Sequence, residues 1–342
     1  MRDEPTNKNQ NDQELYNDFL EETKQSFTRA TPFSEEEQVK IVKASKLAAR
    51  MTNIMISLAI LLLILPVTML LTYIYYGVGG KANLLIDVAA KTIYVTEPNM
   101  SLEEMEIEDD IGIFTMHVLF DTYKKIGHED YRASEYDIYF VLDEPNIPEK
   151  NYLLDRPLPD IPSVESETLL HPKASIPYDQ KEEWDMLKGL PDGTVAEVYL
   201  SLSQLMEPEH LEEIMPDEIE LRWLAVDTGL EEKQVNEEGI PISSLGYPAQ
   251  VDYTTWSPFN GRDKTNEEVF MDILSLLERH EDLAEKVARA KALELKERRS
   301  YIVQNGINIY GAVVTGPVPE LRKLEQVKEI RAMKVGEVKL WN

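Results

Sequence analysis

The side chains best suited to metal or acid–base chemistry in this chain are its five histidines and its many carboxylates. One histidine stands beside further potential ligands in the triplet His280-Glu281-Asp282. This triplet lies between two predicted helices, where a solvated loop is far more common than a metal site. A second acidic run, Glu106 to Asp110, attracts cations in general, but so acidic a chain needs no metal to explain it. We therefore predict no metal site.

The sequence signatures of the common enzyme classes are absent from this chain. It has no Gly-x-Ser-x-Gly, no His-Glu-x-x-His and no Gly-x-x-x-x-Gly-Lys-Ser/Thr motif. Because it has no cysteine, thiol nucleophiles, Cys-containing zinc sites and disulfide scaffolds are also excluded. We expect a protein that is not an enzyme, with no catalytic residues and no cofactor. An ectoenzyme with paired carboxylates is kept as a remote alternative, since acidic residues are too numerous for spacing to decide.

A long uncharged segment, Met51 to Gly80, determines how the remaining residues are placed. Its centre, Ile54 to Tyr76, is nearly all apolar, and as a helix it would span about 34 Å, enough for a hydrocarbon layer of roughly 30 Å. A core helix of a soluble protein carries a polar stripe, and a signal peptide has a shorter apolar stretch nearer the start. We predict one transmembrane helix over residues 51–76.

The basic residues that flank this helix predict its orientation. Four lie in the twenty positions before residue 51, and two lie in the twenty positions after residue 80. Positive charge is retained on the cytoplasmic side, so residues 1–50 are predicted to be cytoplasmic and the C-terminal region extracellular. The four residues are Lys40, Lys43, Lys46 and Arg50.

The negative charge of the chain is concentrated beyond the predicted membrane helix. The net charge is −28, yet residues 1–50 hold eight Lys or Arg against ten Asp or Glu, and the apolar segment holds none. A surface so acidic repels the phosphate backbone of nucleic acids. We therefore expect no direct nucleic-acid binding.

Local patterns predict an α+β fold with a helical cytoplasmic arm. Ser34 and Glu37 form a Ser-x-x-Glu capping box, which predicts a helix that continues to Tyr76 and ends at the glycines of residues 77–80. Residues Leu84 to Val95 alternate well enough to predict strands, and residues 111–126 and 131–142 predict a hairpin, as their β-branched and aromatic content supports. From residue 184, strands alternate with helices, including one long helix predicted over residues 282–304.

These patterns divide the chain into four regions. They are a cytoplasmic helical arm (1–50), the transmembrane helix (51–76), a juxtamembrane β-rich region with a Pro-rich linker (77–183), and an extracellular α+β sensor-like domain (184–342).

The cytoplasmic arm carries large apolar side chains that it is too short to bury. Leu15, Tyr16, Phe19 and Leu20 follow helical spacing on an otherwise acidic helix, and Phe27 lies beyond them. One interpretation is self-association, or packing against the second helix of the arm. The other, which we favour, is that this helix docks into a groove on a cytoplasmic protein.

Several stretches resemble a known family. Val39 to Arg50, running on into Asn53 to Leu58, resembles the N-terminal region of the membrane-bound sigma-factor regulators, and Gly193 to Gly229 and Gly306 to Pro317 resemble their C-terminal region. The likeness covers most of the chain. It implies an anti-sigma factor whose arm holds an extracytoplasmic-function sigma factor away from RNA polymerase, while its outer domain responds to the cell envelope.

The resemblance carries no ligand residues. Many anti-sigma factors have a His-x-x-x-Cys-x-x-Cys zinc motif in the inner arm, and this arm has neither histidine nor cysteine. Binding would therefore rest on the apolar helix, through Leu15, Tyr16, Phe19, Leu20 and Phe27. The alternative function is a membrane-anchored envelope-binding or scaffold protein whose arm only serves as an anchor.

The predicted orientation is tested by reporter fusions to the two ends of the full chain. We expect a fluorescent protein at the N-terminus to fluoresce, and alkaline phosphatase at the C-terminus to be active, because basic residues hold the arm inside. A result that places both ends on one face of the membrane would contradict the orientation and the single span together.

Overall fold

The computed structural model describes residues 16–25, 34–102, 108–154, 169–233, 235–250, 257–260, 263–289 and 292–341. The chain forms two compact units, Met1–Val67 and Thr68–Asn342. The first unit contains helix α1, residues 16–25, and most of a long helix, α2, Glu35–Gly77, which ends in the second unit.

The bounds of α2 follow from its capping residues. The Ser34 backbone N–H donates to Glu37 Oε2 (3.0 Å) and the Glu37 N–H donates to Ser34 Oγ (3.3 Å), which confirms the predicted capping box. Gly79 and Gly80 follow the helix with φ of +102° and +69°, a region that favours glycine. Among the described residues, α2 is the one helix long and apolar enough to cross a membrane, and its most apolar window is unburied.

The second unit contains two sheets whose strands pair antiparallel. The first has the order β1-β3-β4-β5, with β2 on β3 and β6 on β4, and the second has the order β11-β7-β10-β8-β9. The first comprises β1 Ser101–Leu102, β2 Glu108–Ile111, β3 Thr115–Ile126, β4 Glu129–Val141, β5 Glu144–Pro145 and β6 Glu149–Tyr152. The second comprises β7 Thr194–Met206, β8 Glu220–Val226, β9 Gly246–Pro248, β10 Ile309–Pro317 and β11 Ile330–Leu340.

Helices pack against these sheets, so the predicted mixture of α and β structure is confirmed. They are α3 Lys81–Thr96, α4 Gln180–Gly189, α5 Pro208–Ile214, α6 Asn266–Glu278, α7 Glu281–Val287, α8 Leu295–Asn305 and α9 Val318–Leu321, followed by a 3₁₀ turn, Arg322–Gln326. The predicted β3–β4 hairpin is also confirmed.

Two predicted elements are wrong. Residues 84–95 lie in helix α3 instead of strands. From Val88 to Val95 this helix is buried on several sides, so its apolar residues show no single helical stripe in the sequence. The single helix predicted over residues 282–304 is two helices, α7 and α8. The backbone turns between them, where Arg289 and Glu294 have φ of +62° and +50°.

A buried ion pair joins the two sheets. Lys124 of β3 places its Nζ 3.0 Å from Glu197 Oε2 of β7, and the two side chains are 2% and 0% exposed. Lys124 Nζ also donates to the Tyr199 hydroxyl (2.8 Å), and Glu197 Oε1 accepts from Asn99 Nδ2 (2.7 Å). Residues of both sheets, such as Phe120, belong to one hydrophobic cluster, so residues 77–183 and 184–342 share a core.

We expect Lys124→Met to destabilise the second unit by about 3–5 kcal/mol, because the carboxyl group of Glu197 would be left in a buried site without its cationic partner. Urea unfolding of the full chain in detergent measures the loss through tryptophan fluorescence, since all four tryptophans lie beyond residue 183.

The matched control is Lys173→Met, which breaks the exposed pair between Lys173 and Glu232 (3.0 Å). This variant should unfold at the same urea concentration as the parent, because solvent screens an exposed pair. Equal midpoints for the two variants would show that the buried pair contributes no more than the surface pair.

Candidate functional site

Helix α1 presents three of the five predicted contact residues on one face. Tyr16, Phe19 and Leu20 stand at positions i, i+3 and i+4, which places their side chains side by side. Tyr16 and Phe19 are 64% and 68% exposed. Thr23 continues the face by one turn, and its hydroxyl donates to the Phe19 carbonyl (2.6 Å). The arm thus offers an uncovered aromatic stripe.

The exposure of Tyr16 and Phe19 bears on the two interpretations of the stripe, packing within the arm or self-association on the one hand and docking to a partner on the other. The second arm helix does not cover Tyr16 or Phe19 within the described part of the chain, so a partner or a second copy would have to bury them. Leu15 and Phe27, the other two predicted contacts, lie outside the described residues. The assignment of the five residues to a binding site stays a prediction.

The start of α2 adds a second exposed surface, which the sequence analysis did not assign to the site. Val39, Ile41, Val42 and Leu47 are all exposed, and lysines lie between them. The sequence signal for this surface is the mixture of lysines and large aliphatic residues that precedes the apolar segment. The stripe on α1 lies among acidic residues, whereas this second surface is basic.

In the second unit, a second buried ionic cluster surrounds Arg298, which has no exposed surface. Its Nη2 donates to Glu231 Oε1 (2.7 Å), its Nε to Thr228 Oγ1 (2.6 Å) and its Nη1 to the Leu293 carbonyl (3.1 Å). Each nitrogen of the guanidinium therefore has a protein partner. Such a cluster holds together the loops that carry Thr228, Glu231 and Leu293.

In the His280-Glu281-Asp282 triplet, the Glu281 carboxylate also has a structural role. Glu281 Oε1 accepts a hydrogen bond from the Leu295 backbone N–H (2.6 Å), which fixes the start of α8 beside α7. Burial raises the pKa of the Glu281 carboxyl above its usual value. In the described ranges, no group of three His, Asp or Glu side chains is arranged to hold a metal ion.

An open groove of about 1030 Å³ lies beside these residues. Seven carboxylates and two lysines line it, which makes it a poor site for anions such as phosphates or nucleic acids. The carboxylates are Glu144, Glu237, Glu238, Asp282, Glu285, Glu294 and Glu297.

Two family models match the chain. Residues 39–131 match the model described as sigma factor regulator N-terminal, and residues 187–337 match the one described as sigma factor regulator C-terminal. A curated relative is the probable anti-sigma-M factor YhdL of Bacillus subtilis (strain 168). It is 28% identical to this chain over 314 residues, which cover 90% of this chain and 85% of that protein. No solved structure matches the chain.

Proposed function

Because this chain belongs to the sigma-factor regulator family, we propose that it is a single-pass membrane anti-sigma factor that sequesters an extracytoplasmic-function sigma factor. The observation that carries the proposal is the uncovered stripe of Tyr16, Phe19 and Leu20 on a short arm next to the apolar helix. The relative that resembles this chain over most of its length is named as a probable anti-sigma factor. The family is regulatory, and nothing in the described residues suggests catalysis.

The proposed contact is a helix in a groove. An amphipathic helix lays its apolar face into a hydrophobic groove through residues spaced as i, i+3 and i+4, which is the spacing of Tyr16, Phe19 and Leu20. Aromatic side chains dominate the binding energy of such contacts. Leu15 and Phe27 extend the proposed surface at either end. A sigma factor held in this way would stay at the membrane, away from RNA polymerase.

The proposed placement puts residues 1–50 in the cytoplasm and the second unit outside the cell. The bias of basic residues toward the N-terminal flank of the apolar helix supports it, because such residues stay on the cytoplasmic side. Helix α2 extends without a break from Glu35 to Gly77. The second unit would therefore regulate the arm through a continuous helix.

We expect Phe19→Asp to weaken capture of the sigma factor by about 30-fold or more, since the loss of an aromatic hot spot costs about 2 kcal/mol or more. The full chain, tagged at its C-terminus and purified in detergent, is titrated with candidate sigma factors, and the dissociation constant is measured for each variant.

The matched control is Gln25→Asp, which places the same new charge on the opposite face of α1, where Gln25 is exposed. This variant should bind like the parent. If Phe19→Asp also binds like the parent, the stripe is not the contact surface. If the parent binds none of the sigma factors of its own organism, the proposed function itself fails.

A further inference from the structure

The C-terminal end of α2 is fastened to the second unit by hydrogen bonds. Thr72 and Tyr76 are fully buried, although their neighbours Tyr73 and Ile74 are exposed. The Phe114 backbone N–H donates to Thr72 Oγ1 (2.9 Å), and the Tyr76 hydroxyl donates to the Leu142 carbonyl (2.9 Å) and lies 3.2 Å from the Phe114 carbonyl. At the open end of the β3–β4 hairpin, the chain turns at Phe114 and at Leu142 are therefore held against the last two helical turns of α2.

These contacts fix the position of the hairpin end along the axis of α2. Thr72 lies four residues before Tyr76, which is about 6 Å along the helix axis. The backbone of Phe114 therefore lies at the level of Thr72, which is inside the uncharged segment. The neighbouring side chains of α2 at this level are mostly apolar and exposed. If α2 crosses a membrane, as proposed above, these turns lie at the level of the bilayer interface.

The side chains of the two turns suit that level. Ile113, Val141 and Leu142 are 47%, 46% and 39% exposed, so the hairpin presents three large apolar side chains next to α2. Exposed apolar residues that cluster beside a membrane helix are typical of lipid contact. We call these three residues the hairpin-end surface.

The outward face of β4 changes in polarity with distance from this surface. Val141 is apolar, Tyr139 is an exposed aromatic residue with a polar tip, and Asp137 and Glu135 carry charge. The alternation along a strand places all four on one face, since Tyr136, Ile138 and Phe140 between them are buried. Apolar, then aromatic, then charged is the order in which side chains cross a membrane interface toward water.

A charged pair marks the start of the polar side at the second turn as well. Lys81, which begins α3, places its Nζ 2.9 Å from Asp143 Oδ2, directly after Leu142. The same ammonium lies 6.0 Å from the centre of the Tyr75 ring. The apolar surface therefore ends at Leu142, where the chain turns back from β4 into β5.

We propose that the hairpin-end surface is a lipid-contact site, with Ile113, Val141 and Leu142 inserted into the bilayer interface beside α2. The second unit then rests on the membrane through its hairpin as well as through its helix. This inference depends on the membrane placement of the proposed function, but not on sigma-factor binding.

The test uses the full chain reconstituted into phosphatidylcholine–phosphatidylglycerol vesicles. The chain has no cysteine, so Ile113→Cys and Leu142→Cys each give one site for a polarity-sensitive fluorophore. Lipids that carry a nitroxide quencher about 5–10 Å below the headgroup surface report contact at interfacial depth. We expect blue-shifted emission and severalfold stronger quenching at both sites than at a water-exposed control.

The matched control is His128→Cys, in the exposed turn at the other end of the same hairpin. The length of β3 places this turn roughly 36 Å from residue 115. Emission and quenching at residues 113 and 142 equal to those at residue 128 would overturn the proposal. A further variant, Leu71→Cys, at an exposed position of the apolar segment one residue before Thr72, separates the two hypotheses. Quenching at residue 71 without quenching at residues 113 and 142 rejects the lipid-contact site, whereas no quenching at residue 71 rejects the membrane placement.

Discussion

The buried pair of Lys124 and Glu197 is the interaction on which the second unit most depends. It joins the central strand of the first sheet to a central strand of the second, in a site closed to solvent. Removing two charges from water is costly, and their attraction offsets this only when further hydrogen bonds satisfy both groups. The Tyr199 hydroxyl and the Asn99 amide supply such bonds. Each sheet therefore supplies a charge that the other must neutralise, and neither would be stable in this form alone.

Several buried polar groups of the second unit serve the fold, and large apolar side chains are exposed on α1 and at the hairpin-end surface, among other places. Arg298 and Glu281 are occupied by loop and helix contacts. The uncovered aromatic residues Tyr16 and Phe19 have no such partner in the described residues. This division fits a regulator that acts through protein contacts and conformational change.

The sequence predicts those elements whose pattern is local. The capping box of Ser34, the glycines after α2, the β3–β4 hairpin and strand β11 were all recognisable from neighbouring residues. The strands predicted over residues 84–95 failed because α3 is buried on several sides, so its apolar residues form a run instead of a clear stripe. No glycine or proline signals the break between α7 and α8. The left-handed conformation there is adopted by Glu294, a charged residue, which sequence patterns do not predict.

The candidate site, too, was predictable only where its pattern is local. Helical spacing was enough to select Tyr16, Phe19 and Leu20, since it is a property of one segment. Periodicity could not have predicted the contacts of Thr72 and Tyr76, because their partners are backbone atoms in turns 38 to 66 residues away. These contacts have a mechanical meaning. A flexible linker after the helix would absorb any movement of the hairpin, whereas these hydrogen bonds would pass such a movement directly to the last two turns of α2.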